Sequence, residues 1–341
     1  MIDCGQFWYV ACPSEWLTAN RSVSVTLLDQ WIVCFRDSAG RPAALPDRCL
    51  HRCGRLSRGT VHRGLLRCPY HGWKYDESGR VVEIPSAGES HIALHSKLST
   101  PRYDTREQDG YVYVRLTQPL APIEPFPMPH YRESGWQNIR LVHDFASTIT
   151  HCVENFIDIP HTAYVHHGIF RKESRQMLEA EIRRSNGEVH VSYKNESRNI
   201  GSFGWLLNPR GGPVQHTDSF FMPNITHVAY RIGSRVEYLI TSQSVPITGE
   251  STRVFTDITF RFGIWSRIAR PFARRQARRV IRQDIDELNA QMEVIRKHPA
   301  PFVDTPADFI HKMISQIREA IARGDDPRLL PEITRTVTFW V

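Results

Sequence analysis

Hydrophobic and polar residues alternate in short segments along the first third of the chain. SVSVTLL (22–28), WIVCF (31–35) and GYVYVRL (110–116) have the two-residue period and the β-branched or aromatic content of strands. DSAG (37–40) and DESG (76–79) have the composition of turns. Short strands separated by turns predict an all-β unit at the start of the chain.

A proline-rich segment ends this pattern. TQPLAPIEPFPMPH (117–130) contains five prolines, and proline can continue neither a helix nor a central strand. We therefore predict a first domain at residues 1–118, a linker at 119–134 and a second domain at 135–341.

Helical and strand-like segments are mixed in the second domain. A helical pattern around residues 147–162 precedes the strand-like runs VHVSY, RVEYLITSQSV and RVFTDITFRF. A long helical pattern covers about residues 266–298, and TRTVTFWV predicts a final strand. This order favours an antiparallel sheet with helices, so the predicted fold class is α+β, with an all-β domain first.

The composition is that of a globular protein. The 341 residues carry a formal net charge of +7 and include seven cysteines spread over the chain. The positive charge favours an acidic partner or an anionic substrate, and nucleic acid so weakly that we expect no such partner. The start MIDCGQFWYVAC lacks the features of a secretion signal, and no apolar run approaches the length of a membrane span. We expect a cytoplasmic, reduced protein in which clustered cysteines bind metal.

Two cysteine–histidine pairs stand close together in the first domain. Cys49 and His51 form a CxH pair, and Cys68 and His71 form a CxxH pair after sixteen intervening residues. Two thiolates and two imidazoles at this spacing make a four-ligand metal site at the tips of two hairpins. One interpretation is a structural zinc site, for which these ligands are suitable. The other is an iron–sulfur cluster held by two cysteines and two histidines.

The segment HCVENFIDIPHTAYVHHGIF contains a second group of candidate ligands. Asp158, His161 and His166 form a DxxHxxxxH pattern that follows Asn155. Asp158 and His161 can share one face of a helix, whereas His161 and His166 cannot if the helix stays straight. Either the helix ends near VHHG, or a metal draws His166 in from the following turn. Two histidines and one distant carboxylate form the facial triad of non-heme iron(II) oxygenases.

The carboxylate that this triad needs has three candidates in RRVIRQDIDELNAQMEVIRKH. The candidates are Asp284, Asp286 and Glu287. On a helix, Asp284 lies at the margin of the apolar face, while Asp286 points to the opposite side. The apolar face is defined by residues at three- and four-residue steps: Ile281, Ile285, Leu288, Met292 and Ile295. A buried ligand should be Asp284, and Asp286 is the second choice.

Both groups of residues resemble those of one enzyme family. CLHRCGRLSRG and CPYHGWKYDESG resemble the Rieske 2Fe-2S signature, and ENFIDIPHTAYVH resembles the mononuclear-iron helix of Rieske oxygenases. In order and spacing the chain resembles the alpha subunits of Rieske non-heme iron oxygenases, in the small branch that includes vanillate, caffeine and dicamba demethylases. The resemblance implies a Rieske β domain followed by a START-like helix-grip domain that encloses an apolar substrate pocket.

The resemblance also implies two metal cofactors, a 2Fe-2S Rieske cluster and a mononuclear Fe(II). In the cluster, Cys49 and Cys68 would bind one iron, and His51 and His71 would bind the other. For the mononuclear iron, His161, His166 and Asp284 are the implied ligands.

Cys53 is a further cysteine in the first loop. Respiratory Rieske proteins have an extra cysteine in each loop and join the two in a disulfide, but here Tyr70 stands at the corresponding place of the second loop. We expect Cys53 to be a small buried side chain without a disulfide partner.

Two residues of the second motif remain without an iron to bind, and the resemblance assigns both to catalysis. In similar enzymes the carboxylate equivalent to Asp158 hydrogen-bonds an iron-bound histidine and, across a subunit boundary, a Rieske histidine. Here that bridge would run from His71 through Asp158 to His161, which implies a homotrimer. Asn155 is assigned to the same machinery.

The implied function is that of a terminal oxygenase. It would use O2 and electrons from NAD(P)H to hydroxylate or demethylate a small, largely apolar, aromatic or cyclic substrate, with monooxygenation slightly favoured. The chain has neither GxGxxG nor Cx4Cx2C, so a separate reductase, with or without a ferredoxin, would supply the electrons. Candidate pocket residues are Phe203, Trp205, Phe220 and Met222, although core packing explains them equally well.

Two rival functions and one charged segment stay open. The chain could be a Rieske electron carrier joined to a non-catalytic ligand-binding domain, or a zinc-stabilised binding protein. RIARPFARRQARRVIRQ (267–283) contains seven arginines. It is either a solvated helix face, a docking site for an acidic ferredoxin-like domain, or a contact with an anionic membrane surface.

Overall fold

The computed structural model describes residues 3–88, 97–119, 123–167, 169, 176–195, 212–233 and 236–341, apart from the side chain of residue 264. The chain forms two compact units, Cys4–Pro127 and Met128–Val341. The division between them falls inside the proline-rich segment.

The first unit is built of short strands, as its sequence pattern predicts. The strands are β1 (Tyr9–Pro13), β2 (Val23–Leu27), β3 (Gln30–Arg36), β4 (Pro42–Pro46), β5 (Thr60–His62), β6 (Leu65–Arg67), β7 (Lys74–Tyr75), β8 (Val81–Glu83), β9 (Asp104–Gln108) and β10 (Tyr111–Arg115). Within the described part of this unit they form three antiparallel sheets, in the orders β1-β10-β9, β2-β3-β4 and β5-β6-β7-β8.

Two aspartates build the predicted turns of this unit in the same way. Asp37 Oδ1 accepts the backbone N–H groups of Ala39 (2.9 Å) and Arg41 (2.8 Å). Asp76 Oδ1 accepts those two and four residues further on, each at 3.0 Å. A short carboxylate that binds the following backbone amides replaces the hydrogen bonds of a regular element. Both predicted turns are confirmed.

In its described residues the second unit contains one large antiparallel sheet and four α-helices. The helices are α1 (Ile149–Asn155), α2 (His161–Tyr164), α3 (Ser266–Lys297) and α4 (Phe309–Arg323). The strands are β11 (Gln137–Phe145), β12 (Met177–Ser185), β13 (Glu188–Lys194), β14 (Val214–Phe221), β15 (Ile225–Ile232), β16 (Val236–Thr248), β17 (Ser251–Phe262) and β18 (Ile333–Trp340). Their order in the sheet is β11-β17-β16-β15-β14-β13-β12-β18. The α+β class is confirmed.

The long helix α3 is fixed to the sheet by its apolar side. Ala277, Ile281 and Leu288 of α3 belong to one buried core cluster with residues of β11 and β17. Burial of a leucine or isoleucine side chain contributes about 1.5–3 kcal/mol, so this contact holds the helix in a defined rotation. Asp284 lies on the same side of α3 and is buried as well.

The predicted helix at 147–162 is instead two short helices. The first, α1, begins after Thr148, whose side chain accepts the N–H of His151, and ends at Asn155. The second, α2, starts directly after Pro160. Proline has no N–H and disfavours a helical conformation in the residue before it, so one continuous helix cannot pass this point.

Candidate metal centres

The two cysteine–histidine loops of the first unit have the same backbone hydrogen bonds. The N–H of Cys49 donates to the carbonyl five residues on (2.8 Å), and its carbonyl accepts the N–H four residues on (3.1 Å). Cys68 repeats both hydrogen bonds at 2.8 and 3.1 Å. The loops therefore present their side chains as two copies of one geometry.

The four predicted cluster ligands of these loops come together. Cys49 and Cys68 are each 2% exposed, while His51 is half-buried and His71 is exposed. The centroids of the two imidazole rings lie 4.5 Å apart. Nδ1 of His51 is buried and has no hydrogen-bond partner in the described chain. Two buried thiols beside two imidazoles at the surface are the donor set that a Rieske 2Fe-2S cluster requires, so the residues fit that group.

Tyr75 on β7 contacts this site, although it was not among the predicted site residues. Its hydroxyl accepts the backbone N–H of Leu50 (3.0 Å) and lies 3.2 Å from Sγ of Cys49. Burial raises the pKa of the Tyr75 phenol, so the hydroxyl keeps its proton. With its oxygen already accepting from Leu50, that proton is directed at the cysteine sulfur.

The prediction that Cys53 is buried is wrong. Cys53 is exposed and has no disulfide partner. Its backbone has φ +53°, and Gly72, at the equivalent position of the second loop, has φ +74°. The residue forms the left-handed corner of the loop, which directs its side chain to solvent rather than into the core.

The described part of the second unit contains one group of three potential metal ligands. One donor atom from each of His161, His166 and Asp284 lies within 4.8 Å of the others. Asp284 Oδ1 is 3.0 Å from Nε2 of His166 and 3.7 Å from Nε2 of His161. The helix α2 ends at Tyr164, so His166 comes from the chain that follows it. Of the two alternatives open from the sequence, the helix thus ends before His166.

Gln283 fixes the orientation of His166, and sequence reasoning missed it. Gln283 Oε1 lies 3.1 Å from Nδ1 of His166 and accepts its proton. Nε2 of His166 then presents a lone pair to the oxygen of Asp284, which is buried and has no hydrogen-bond donor in the described chain. Two lone pairs that face each other at 3.0 Å need a cation between them, so the residues fit a divalent metal.

Asp158 contacts the other histidine of this group, His161. Its Oδ2 accepts the backbone N–H of His161 (3.3 Å) and is 3.3 Å from Nδ1 of the same residue. Burial alone would lower the pKa of His161, but the carboxylates of Asp158 and Asp284 outweigh it and the pKa is raised. The ring is therefore held between two negative charges.

Burial distinguishes the three carboxylates that the sequence offered as iron ligands. Asp284 is 5% exposed, whereas Asp286 and Glu287 are exposed on α3. Oδ1 of Asn155 is buried without a hydrogen-bond partner in the described chain, and Asn155 lines the cavity beside the three ligands.

A cavity of about 100 Å³ adjoins this group of ligands. His161, His166 and Asp284 line one side, and strands β14 to β17 line the other. Phe220 is fully buried in the core and Met222 is half-buried, and neither is among the described residues that line the cavity. The other two pocket candidates, Phe203 and Trp205, lie outside the described residues. The polar side chains of β14 that do line it, His216 and Asp218, were not predicted.

The arginine-rich segment forms the outer surface of the first half of α3. All seven of its arginines are exposed. Trp265, Ile268 and Phe272 are 60–65% exposed beside them. None of the helices in the described part of the chain combines the length and the apolar character that a bilayer crossing requires.

Comparison with known proteins identifies both units. Residues 7–103 match the Rieske 2Fe-2S domain, and residues 145–324 match the vanillate O-demethylase oxygenase C-terminal domain. The methylxanthine N1-demethylase NdmA of Pseudomonas putida is 30% identical over 197 residues, which cover 55% of this chain and 54% of the demethylase. The oxygenase component of dicamba O-demethylase from Stenotrophomonas maltophilia is 29% identical over 190 residues, 55% of each chain. The matched region thus spans about half the length of these curated relatives.

Solved structures show the same fold over nearly the whole chain. Dicamba monooxygenase bound to 3,6-dichlorosalicylic acid superposes with a TM-score of 0.80 at 22% identity, covering 95% of this chain and 98% of that one. A mutant of NdmA from Pseudomonas putida with theobromine gives 0.76 at 21% identity, covering 97% and 96%. A Rieske domain precedes a vanillate-type domain that alone covers more than half of the 341 residues. This chain therefore belongs to the Rieske oxygenases with a vanillate O-demethylase-type C-terminal domain, which carry a 2Fe-2S cluster and a mononuclear iron.

Proposed function

We propose that this protein is a terminal oxygenase. It uses O2 and electrons from a separate NAD(P)H-dependent reductase to hydroxylate or demethylate a small, largely apolar substrate. The observation that carries the proposal is the meeting of His161, His166 and Asp284 at the wall of a cavity. Ligands that bind a metal only for structural reasons have no need of an adjoining cavity, whereas an oxygenase needs room for O2 and substrate at the metal.

Seven residues are the proposed ligands of the two metal centres. Cys49, His51, Cys68 and His71 would hold the 2Fe-2S cluster, and His161, His166 and Asp284 would hold the mononuclear iron. When bound, these groups supply one-electron transfer and the activation of O2.

The protein's own side chains orient the mononuclear site. Gln283 accepts the Nδ1 proton of His166 and so leaves Nε2 as the metal-binding nitrogen. The carboxylate of Asp158 accepts the backbone N–H of His161 and lies 3.3 Å from Nδ1 of the same residue, so it places a negative charge beside that nitrogen. Hydrogen bonds of this kind fix the tautomer and the ring direction of a metal-binding histidine. The packing of α3 on β11 and β17 fixes Asp284 opposite both rings.

Asp158 has a second proposed role as a bridge between copies of the chain. The Asp158 side chain is 23% exposed and His71 is exposed on the first unit, so each can be reached by a neighbouring copy. A hydrogen bond from His71 of one copy to Asp158 of the next would connect the cluster to His161. We propose a homotrimer on this basis, with Asn155 as part of the same catalytic machinery.

The electron supply and the reaction type complete the proposal. A separate reductase, with or without a ferredoxin, would reduce the cluster, because the sequence has no dinucleotide-binding or plant-type ferredoxin motif. We propose monooxygenation rather than dioxygenation as the reaction type. We also propose that the protein is cytoplasmic.

The test is metal analysis of protein purified without oxygen, followed by oxygen uptake with a reductase. About three irons and two acid-labile sulfides per chain are expected. Oxygen uptake should rise when a substrate is added, with one oxygen atom from 18O-labelled O2 in the product or in the released aldehyde.

Two results would contradict the proposal. About two irons and two sulfides that persist after iron reconstitution would mean an electron carrier with a non-catalytic ligand-binding domain. Zinc without sulfide would mean a zinc-stabilised binding protein.

A further inference from the structure

A single carboxylate stands in an otherwise aliphatic row of the cavity wall. In the sheet, Asp218 of β14 is directly paired with Val191 on one side and Val228 on the other. The row continues through Ile240 to Ile258. Burying a carboxylate among valines and isoleucines is costly, and Asp218 is 2% exposed. An aliphatic side chain would serve the core better at this position, so Asp218 has another use.

Two neighbours hold the Asp218 carboxylate in place. Tyr193 donates its hydroxyl proton to Oδ2 at 2.9 Å, and Nε2 of His216 lies 3.0 Å from Oδ1. The His216 ring is stacked between Tyr193 and Tyr230, with centroid distances of 4.6 and 4.1 Å. Neither hydrogen-bond partner is a lysine or an arginine, and no described residue of either type pairs with this carboxylate.

The charge balance of the cavity is negative. Its described lining contains the carboxylates of Asp158, Asp218 and Asp284 and no lysine or arginine. A bound Fe(II) would offset two of these three charges. Asp218 is not among the proposed iron ligands and is 2% exposed, so screening of its charge by water and salt is weak.

We propose that Asp218, oriented by His216 and Tyr193, binds a hydrogen-bond donor of the substrate. The cavity then accepts an uncharged or cationic molecule with an N–H or O–H group on an apolar body, and it rejects carboxylates. This inference rests on the proposed function, because it takes the cavity to be the substrate site.

The positive net charge of the chain does not oppose this selectivity. The charge of +7 suggests an anionic substrate when composition alone is considered. The densest group of arginines, however, is exposed on the outer side of α3, and no arginine of the described chain lines the cavity. The sign of the surface and the sign of the cavity are therefore opposite.

Four probes of similar size test the inference by binding, without turnover. They are benzamidinium (cationic donor), benzamide (neutral donor), methyl benzoate (neutral, no donor) and benzoate (anion), measured by anaerobic equilibrium dialysis against the holoprotein. Benzamidinium and benzamide should each bind at least about tenfold more tightly than benzoate, as expected for a hydrogen bond to a charged group. The affinity of methyl benzoate should lie between that of the two donors and that of benzoate.

Asp218→Asn keeps the shape of the side chain and removes the charge. We expect it to reduce the ratio of benzamidinium to benzoate affinity by about tenfold or more. The matched control is Asp257→Asn, which removes another buried carboxylate from the same sheet. Asp257 alternates with the cavity-lining Thr256 and Ile258, so it faces the other side, where it pairs with Arg140 (3.1 Å). The control should leave the ratio unchanged.

Several results would overturn the inference. These are benzoate binding as tightly as benzamide to the unmodified protein, no binding of any probe, or an unchanged ratio in Asp218→Asn. The ranking on the unmodified protein decides the question even if the variant does not fold. Iron and sulfide content of the same samples tests the proposed function separately, so correct metal content without charge preference would reject this inference alone.

Discussion

Oδ2 of Asp158 accepts the backbone N–H of His161 and lies 3.3 Å from Nδ1 of the same residue. One carboxylate thus holds the start of α2 and places its negative charge beside the ring that this helix carries. Asp158 therefore contacts both a helix start and a histidine of the proposed metal site. Asparagine has the shape of aspartate without its charge, so a substitution can show which of the two properties matters.

Asp158→Asn should retain the mononuclear iron but lower turnover. The amide keeps the contact with the backbone of His161 and loses the negative charge beside the ring. Substitutions of residues that orient metal ligands typically cost about 10–100-fold in activity or metal affinity. Reductase-driven oxygen uptake, iron content and the thermal midpoint should be measured together. A fall in the midpoint with unchanged activity per folded chain would show that Asp158 acts only on stability. Asp144→Asn, which changes an exposed carboxylate paired with Arg253, is the control.

Asp284→Asn should remove about one of three irons per chain while leaving the sulfide content unchanged. The amide oxygen is a poorer donor than the carboxylate that faces both histidines at 3.0 and 3.7 Å. Asp286→Asn, two residues along the same helix but exposed, should retain all the iron. If Asp286→Asn loses the iron and Asp284→Asn does not, the ligand assignment is wrong.

Tyr75→Phe should lower the reduction potential of the 2Fe-2S cluster. The hydroxyl 3.2 Å from Sγ of Cys49 donates a hydrogen bond that stabilises the more negative, reduced cluster. Loss of one such bond corresponds to a shift on the order of tens of millivolts. A spectroelectrochemical titration measures it, and Tyr103→Phe, whose hydroxyl bonds Gln30 instead, is the control. An unchanged potential in Tyr75→Phe would mean that the hydroxyl does not donate to the sulfur.

A double change of Arg274 and Arg275 to Glu should weaken electron delivery without altering iron content. Both arginines are exposed on the basic surface of α3, which complements an acidic redox partner. The Michaelis constant for the reductase or ferredoxin should rise, and more so at low ionic strength. Changing Lys312 and Arg323 of α4 to Glu alters the charge equally at another exposed place. Equal effects of the two double changes would exclude a specific docking role.

His227→Asn should reduce the acid sensitivity of the folded state. Burial, assisted by Arg231, lowers the pKa of His227 from 6.5 to about 4. Between these values the unfolded chain binds a proton that the folded chain does not, so stability falls as the pH drops below 6.5. The loss approaches roughly 3 kcal/mol near pH 4, and it is absent above pH 6.5.

Asparagine can keep the hydrogen bond to Thr241, which lies 2.9 Å from Nδ1 of His227. Urea denaturation at pH 7.5, 6, 5 and 4.5 gives the free energy of unfolding for both proteins. The difference between variant and unmodified protein should grow as the pH falls. Parallel curves would show that His227 does not control the acid response.

Periodicity and residue type were enough to predict the elements that carry the site. The burial of Asp284 follows from its position at the edge of an apolar helix face, and the rings of His51 and His71 from the CxH and CxxH pairs lie 4.5 Å apart. The break of the 147–162 helix was not predicted, although Pro160 gives a local reason for it. Cys53 was wrongly expected inside, because the left-handed corner of a loop depends on its hydrogen bonds rather than on hydrophobicity.

The residues that contact the proposed metal ligands and line the cavity could not be predicted from the pattern of one strand or helix, because they lie far away in the sequence. Gln283 reaches His166 across 117 positions of sequence, and the setting of Asp218 depends on the pairing of β13 to β17. Cross-strand register is set by turns and by burial over the whole sheet, and a single residue shift would move Asp218 to the other face.

The cavity has two walls of different origin, with its proposed metal ligands on α2, just after α2 and on α3, and its opposite side on β14 to β17. A mutation on the strands can change which molecule is accepted while the ligands keep their supporting contacts. Such a scaffold can acquire a new substrate by a few substitutions without passing through a form that has lost its metal. Divergence within the family is therefore expected to be fast on the strands and slow on the helices.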